Sequence, residues 1–330
     1  MRKTKVSVAM CSYNSSRYCE KQLESMASQS RLPDEVVICD DGSVDDTPSI
    51  LERFSKEAPF DVRIYRNQTN LGVAKNFEKA IALCSGGIIA LADSDDVWRR
   101  DKLEWLCAVL EQHQEAGYAF SDGELIGPDG GLLGVRMWDW QFFKQLLLRG
   151  FPPESQVPAL LQFPVVTGAA MALRSSIKPF VLPIAERWAE CWLHDYWISL
   201  VAAFIGFHGV AIHEPLLKYR VHPNQTMGLR RSFLERCKAS FASRVEPWPV
   251  HIAAFRSLRE RLRQDASATN RCDPHELDLL EQKLAHLGER AHARSSEYFK
   301  KYRIILAEAF TGRYQRFSLS WRSIVRDLCP

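Results

Sequence analysis

The first hundred residues repeat one pattern: a short apolar run, a polar or acidic loop, then a helix-forming stretch. Val6-Ser7-Val8-Ala9-Met10 ends at a Ser12-Tyr13-Asn14 turn, and about Tyr18 to Ser28 reads as a helix with Leu23 and Met26 inward. Glu35-Val36-Val37-Ile38-Cys39 runs into Asp40-Asp41-Gly42-Ser43, after which Thr47 is expected to cap a helix that has Pro48 at its first position. Val62-Arg63-Ile64-Tyr65 is a third strand, followed by Asn70-Leu71-Gly72 and a helix to Cys84. This alternation predicts an α/β fold, a mostly parallel sheet with helical crossovers.

A fourth apolar run, Ile88 to Leu91, follows the Gly86-Gly87 turn and delivers Asp93, Ser94, Asp95 and Asp96 to the C-terminal end of a strand. Ligands of open α/β sheets bind at that end. Carboxylates packed this closely repel unless a cation or hydrogen-bond donors compensate, and an oxygen-rich set favours a hard divalent ion such as Mg²⁺ or Mn²⁺. An isolated Asp-x-Asp is as readily a solvated turn before the helix near Arg100. Its neighbours weigh against that.

Further on, Tyr118-Ala119-Phe120-Ser121 fits a strand before a Gly-rich hairpin near Pro128–Gly131. Met137 to Pro164 is aromatic and spaced for an amphipathic helix, more in keeping with core than with a ligand box. A helix from Asp195 to about Phe204 and a strand near Val210-Ala211-Ile212 follow, and beyond Arg220-Val221-His222 the pattern changes. Residues 229–330 are helix-formers dense in Arg and Lys, with Leu277, Leu280, Leu284 and Leu287 on one narrow seam. The boundaries expected are therefore 1–228 for the α/β unit and 229–330 for a basic helical extension.

Charge divides at the same place. Residues 229–330 hold 20 Lys and Arg against 12 Asp and Glu, whereas residues 1–228 hold 23 against 28. An acidic front suits a metal-dependent nucleotide enzyme; a basic tail suits an anionic surface such as membrane lipid, though solvated helix faces give the same count. The basic residues follow no nucleic-acid-binding module, so nucleic acid is not an expected partner. The nine cysteines form no C-x-x-C pair, and Met-Arg-Lys-Thr-Lys leads directly into a strand. Reduced thiols and a cytoplasmic location are the expectation, with any membrane contact peripheral.

Four polar clusters need one explanation: Ser12-Tyr13-Asn14, Asp40-Asp41-Gly42-Ser43, the acidic cluster, and His194-Asp195 together with Tyr219 to Gln225. An aromatic ring for a base, a carboxylate for a base N–H or ribose hydroxyl, and acids for a metal all suit one ligand, a nucleotide whose phosphates are held by metal. The run Asp-Asp-Gly-Ser-x-Asp-x-Thr at 40–47, Asn70-Leu71-Gly72 and Ala92-Asp93-Ser94-Asp95-Asp96-Val97-Trp98 with Lys102-Leu103 resemble the family 2 glycosyltransferases, the inverting enzymes of the Rossmann-like GT-A fold. The resemblance covers about residues 5–226.

That resemblance implies roles. Ser12, Tyr13, Asn14, Asp40, Asp41, Asn70 and Gly72 would form the nucleotide site, with Tyr13 and Asp41 on the base. Asp93 would meet the ribose or a metal-bound water, Asp95 and His222 would hold the metal, and Arg220 would steady the diphosphate. Asp195 occupies the family's catalytic-base position, although it could also cap its helix, and His194 stands where many relatives carry Glu. Residues 194–203 look most like the rhamnosyltransferase branch, which uses dTDP-β-L-rhamnose. His194, Trp192, Tyr196 and Trp197 would then border the sugar and acceptor pocket. Expected partners are a dTDP- or UDP-linked sugar and an oligosaccharide or lipid-linked glycan acceptor. A UDP-hexose or UDP-N-acetylhexosamine transferase, or a non-catalytic assembly subunit, are the alternatives.

Overall fold

A computed structural model describes residues 4–140, 144–148, 151–223, 248–264, 266–318 and 321–328. The expected boundary at 228/229 and the Asn224-Gln225 end of the fourth cluster lie outside the described residues.

Four strands come first: β1 (Val6–Ser12), β2 (Glu35–Asp40), β3 (Asp61–Arg66) and β4 (Ile88–Asp93). They pair in parallel in the order β3-β2-β1-β4. Every residue of β1 and β2 is buried, as expected for strands covered on both faces. The crossovers are α1 (Cys19–Ala27), α2 (Thr47–Glu57) and α3 (Val73–Leu83). Because the order reverses between β1 and β4, the loops after these two strands face each other across the crevice where such sheets bind ligands.

Strands β5 (Val97–Trp98), β6 (Tyr118–Ile126), β7 (Leu132–Arg136), β8 (Met171–Arg174) and β9 (Gly209–Arg220) make the rest of the sheet mixed. β8 lies antiparallel between β4 and β6, and β9 runs parallel to β6 while pairing antiparallel with β5. That last pairing sets Val97 against Lys218 and Trp98 against Leu217. It brings the end of β9 beside the acidic loop.

Three local expectations change. Thr47 does not cap α2: its hydroxyl accepts from the Ser15 N–H at 2.8 Å, tying the loops after β1 and β2 together. The stretch from Met137 to Pro164 is not one helix. Among the described residues it contains a 3-10 turn (Met137–Trp140), α5 (Lys144–Leu148) and α6 (Gln156–Gln162). Pro152 and Pro153 interrupt it, since proline supplies no N–H and restricts the residue before it. The strand near 210 extends to twelve residues because edge pairing with β5 continues it past Pro215.

After α4 (Lys102–Gln112) and two short helices, α7 (Lys178–Val181) and α8 (Glu186–Ala189), comes the buried α9 (His194–Phe204). Then follow α10 (Trp248–Gln264), α11 (Ala266–Thr269), α12 (Pro274–Arg294), α13 (Tyr298–Phe310), α14 (Arg313–Phe317) and α15 (Trp321–Leu328). Asp273 caps α12 by accepting from the His275 N–H, and Leu280, Leu284 and Leu287 are buried on its seam. No helix of the described residues is long and apolar enough to cross a membrane.

These helices share the core of the sheet: Trp248, Phe255, Leu258, Leu280 and Phe317 belong to one apolar cluster with the strands. Phe255 meets the Trp188 ring edge-on at 5.5 Å, and the Arg261 guanidinium donates to the carbonyls of Pro179, Phe180 and Leu182. Phe255→Ala is expected to cost about 3–5 kcal/mol, because the emptied volume lies between two rigid layers. Urea unfolding followed by circular dichroism measures it, and a loss under about 1 kcal/mol would mean that the helices only rest on the domain.

Candidate functional site

The nucleotide end is a set of interlocked loops. Asp41 is buried, and its carboxylate accepts from Asn67 Nδ2 at 2.7 Å, Leu71 N at 2.8 Å and Gly72 N at 3.0 Å. Asn70 closes the loop by accepting from Gly72 N, and Gly72, at φ +79°, occupies backbone space that a side chain would strain as α3 begins. Asn14, also at positive φ, accepts from Val44 N and donates its own N–H to Ser43 Oγ. Tyr13 is 54% exposed beside these loops, a ring available for stacking.

Asp40 differs from its expected role near the base. It is fully buried; Ser12 Oγ, Ser43 N and Ser43 Oγ all donate to its carboxylate. It shapes the Asp-Asp-Gly-Ser turn.

At the acidic end, His222 Nε2 lies 2.7 Å from Asp95 Oδ2, across 127 residues of sequence. The Tyr18 ring packs on the His222 imidazole at 4.8 Å, and the Arg220 guanidinium sits over the other part of that assembly, 4.7 Å from the Tyr18 centroid. Arg220 was expected on the diphosphate. It is buried instead, donating from Nε to Asp95 O at 2.6 Å and from Nη1 to Gly127 O at 3.2 Å, while its backbone N–H meets Asp96 Oδ1 at 2.9 Å. The long side chain braces the acidic loop from beneath, because the β5–β9 pairing directs it inward.

Asp96 is the member of the cluster that sequence reasoning left without a role. It is wholly buried with Oδ2 unpartnered, and burial, followed by repulsion from Asp95 and Asp93, holds its carboxyl well above the usual range. Asp93 is pushed up to about 7 by burial, then by Asp95 and Asp195. The compensating cation is Lys102, fully buried, with Nζ 4.0 Å from the Trp98 ring centroid and a donation to Ala169 O at 2.5 Å. Burial lowers its ammonium to about 7 against the opposing pull of Asp96 and Asp93.

The carbonyl that Lys102 holds belongs to the Gly168–Ala170 turn, and that turn reaches Asp195. Gly168 N donates to Asp195 Oδ2 and Tyr196 N to Oδ1, both at 2.8 Å. Burial nonetheless raises the Asp195 carboxyl to about 6, against those two N–H groups. Leu193, not Asp195, occupies the N-cap position of α9. The turn held by Lys102 thus links the expected base to the acidic loop, and the Asp195 charge contributes to raising Asp93.

His194 is stacked on Phe77 with centroids 3.8 Å apart, has both ring nitrogens buried without a partner, and is held neutral by burial, near a pKa of 3. Tyr196 and Trp197 are also core: their O–H and N–H donate to Leu160 O and Val181 O. These three do not line a pocket as expected, because all faces of α9 are buried. Trp192 is partly buried, stacked on His251 at 4.8 Å.

Asp95 and His222 offer a carboxylate oxygen and an imidazole nitrogen at one point, a donor set that fits a divalent ion whose other positions go to phosphate and water. Among the described residues no group of three or more His, Cys, Asp or Glu could hold a metal by itself. Two protein ligands, with a buried orphan acid oxygen behind them, fit an ion bound together with substrate. The same count argues against a structural ion held by protein alone.

Gly168 carries a testable consequence. A Cβ there would stand 2.6 Å from His194 Nε2 and 3.4 Å from Asp195 Cβ. Gly168→Ala should destabilise by about 1–3 kcal/mol through overpacking. Combined with His194→Ala it should cost clearly less than the two single losses added, as read in a double-mutant cycle of denaturant unfolding. Simple additivity would mean the turn does not press on α9.

Known proteins resemble the chain in sequence over its first part and in fold. Residues 7–145 match the family described as Glycosyl transferase family 2. An uncharacterized glycosyltransferase of Nostoc sp. is 32% identical over 226 residues, 66% of this chain and 65% of that one. Chondroitin synthase of Escherichia coli is 31% identical over 140 residues, 42% of this chain and 20% of that one. The chain thus spans less than two thirds of the length of these curated relatives. Among solved structures, the mannosyltransferase PcManGT from Pyrobaculum calidifontis, in complex with GDP-Man and Mn²⁺, superposes with a TM-score of 0.55 at 16% identity, covering 99% of this chain and 86% of that one. At that identity the likeness concerns the fold. Over residues 7–145 the chain is thus similar to the family described as Glycosyl transferase family 2, and its fold is GT-A-like with a helical region at its C-terminal end.

Proposed function

We propose that the chain is an inverting, metal-dependent glycosyltransferase that moves a sugar from a nucleoside diphosphate to a hydroxyl of a cell-surface glycan. The observation that carries this reading is the contact of Asp95 with His222, together with the buried Lys102 in the helix that follows the acidic loop, whose ammonium holds the Ala169 carbonyl of the same turn that donates Gly168 N–H to Asp195. A protein that only bound a nucleotide would have no use for a carboxylate set apart from the metal pair and poised near 6.

In this reading Tyr13 stacks on the base while Asp41 and the loops it organises take the base edge and ribose. Asp95 and His222 would hold the ion, which would supply positive charge to the departing diphosphate. Asp195 accepts the proton of the acceptor hydroxyl as oxygen attacks the anomeric carbon. The nucleoside diphosphate leaves from the opposite face, so the anomeric configuration inverts. The N–H groups of Gly168 and Tyr196 keep the carboxylate oriented, and Lys102, through Ala169, keeps the turn that carries one of them in place.

The donor we read is dTDP-β-L-rhamnose, on the likeness of residues 194–203 to the rhamnosyltransferase branch. With Tyr196 and Trp197 spent on the core, recognition of the sugar falls to other residues, and a UDP-linked hexose or N-acetylhexosamine is the competing donor. The acceptor reading, an oligosaccharide or lipid-linked glycan met at the cytoplasmic membrane face, is in keeping with a relative named for chondroitin synthesis.

Calorimetry with dTDP-rhamnose, UDP-hexoses and GDP-mannose, each with Mn²⁺ or Mg²⁺ and again with chelator, tests donor and metal together. Selective metal-dependent binding of dTDP-rhamnose is expected; preference for a UDP-sugar overturns the donor, and no binding under any condition overturns the enzyme. Asp195→Asn should leave that binding intact while lowering turnover about 10²–10⁴-fold. His222→Ala should abolish its metal dependence.

Asp195 must be ionised to accept a proton, and its carboxyl is raised to about 6. Turnover should therefore be full above that pH and fall as the pH drops through it, in a kcat/KM profile with an acid limb near 6. A limb near 4 would point to another base.

A further inference from the structure

Helix α13 has two apolar faces, and among the described residues only the inner one packs in an apolar cluster. Inward, Ile305 is buried against Ala293 and Tyr314, with Ile324 and Leu328 of α15 packed beside it. Outward, Phe299, Arg303, Leu306 and Phe310 fall at i, i+4, i+7 and i+11, one stripe of the helix, and all four are exposed. Phe299 is 85% exposed, Leu306 52% and Phe310 90%. On the adjoining α15, Trp321 and Val325, four apart, are 65% and 43% exposed. Large apolar residues scattered singly on a surface mean little; a stripe of them on two neighbouring helices does not arise from solvation.

The charge around the stripe is mostly basic. Residues 298–328 hold seven Lys and Arg, with Lys300, Arg303, Arg316 and Arg322 exposed. Their two acids are turned inward. Glu308 is buried against His286 Nδ1 at 2.7 Å and Arg313, and Asp327 takes the Arg290 guanidinium at 2.6 and 2.8 Å and the Tyr314 hydroxyl. Among the described residues the outer face is thus aromatic and mostly cationic, with Glu297 at the N-cap of α13 as an exposed acid beside it. Two copies of this face set against each other would oppose like charges, so the chemistry that complements it is anionic.

We propose that the outer face of α13 and α15 docks on an anionic lipid membrane, lying in the headgroup plane with Phe299, Leu306, Phe310 and Trp321 entering the acyl boundary. Aromatic residues with interleaved Arg and Lys are the composition of helices that lie in an interface without spanning it. Basic residues supply attraction to the anionic leaflet, and the apolar ends supply the part of the binding that salt does not screen. The inference stands on these exposures and charges and does not depend on the transferase reading.

The test is co-sedimentation of the full chain with vesicles of phosphatidylcholine alone or mixed with phosphatidylglycerol, at low and high salt. Binding to the anionic vesicles only, reduced but not abolished by salt, is expected. The exposed pair Phe299→Ser with Phe310→Ser should lower that partitioning about tenfold or more, and the separate variant Arg303→Glu should lower it and flatten its salt dependence. Circular dichroism confirms that each variant folds. The proposal is overturned if the chain ignores anionic vesicles, or if the Phe299 and Phe310 changes leave binding intact. It is equally overturned if the same changes abolish self-association of the wild-type chain in vesicle-free solution, which would make a second copy the occupant. Donor binding by the vesicle-defective variants should stay unchanged, so failure here leaves the proposed activity standing.

Discussion

The structure is organised around the cost of burying carboxylates. Asp93, Asp95 and Asp96 follow one another at the end of β4, and two of them carry carboxyls raised above their ordinary range because burial and mutual repulsion disfavour the charge. Three features hold this unfavourable group in place. Lys102 is buried beneath it as a cation, the Arg220 main chain and guanidinium grip Asp96 and the Asp95 carbonyl, and the β5–β9 pairing keeps the loop from moving outward. Each is itself costly: an ammonium in the core needs its Trp98 face and its carbonyl, and twelve residues of β9 must be extended to carry Arg220 to its station. A protein without a use for concentrated negative charge would relax it by a single substitution. Such a cluster is chemically suited to a cation, alone or bound together with an anion.

The same Lys102 joins the acidic loop to the other half of the site. Its carbonyl partner lies in the turn that donates Gly168 N–H to Asp195, and Gly168 lets that turn approach α9 because it has no Cβ to meet the His194 ring. A neutral imidazole with no hydrogen bond at either nitrogen is an odd resident for a core. Its stacking on Phe77 and the close approach of Gly168 show what it does: it fills the space behind Asp195 with a flat ring, and in a dry setting it stays uncharged. An ionised Glu at this position would add a second negative charge beside Asp195 and raise that carboxyl further.

How much of this was legible in the residues depended on whether the signal was local. The parallel strands β1 to β4 announce themselves through runs buried on both faces, and the loops that follow them through Asp, Gly and Asn, because a crossover unit is specified within about thirty residues. The Asp95–His222 pair was reached only through resemblance, since nothing in a spacing of 127 residues states a contact. What misled was polarity taken for availability. Arg220, Asp40 and the aromatic residues of α9 have the right chemistry for phosphate, base and sugar, yet their polar atoms are already engaged with backbone and neighbouring side chains. The antiparallel insertion of β8 and the bracing role of Lys102 leave no periodic trace, because both follow from tertiary pairing rather than from local propensity.

The C-terminal helices repeat the theme in a different chemistry. His286, with Glu308 on Nδ1 and Ser318 on Nε2, has the connectivity of a hydrolytic triad. Its surroundings argue otherwise. Burial lowers His286 to about 4, Arg290 donates to the Ser318 hydroxyl oxygen, and Tyr314 and Phe317 close over the ring. A hydroxyl whose oxygen is engaged by a guanidinium is a poor nucleophile, and a dry site without an open approach has no room for a substrate. The network is better understood as a polar rivet through α12, α13 and the Ser318 turn, satisfied at every member and therefore tolerable in a core. By drawing Glu308 and Asp327 inward it also removes two acids from the outer face. The geometry that locks the helices together thus leaves their solvent side basic, and a single arrangement of buried acids accounts for both.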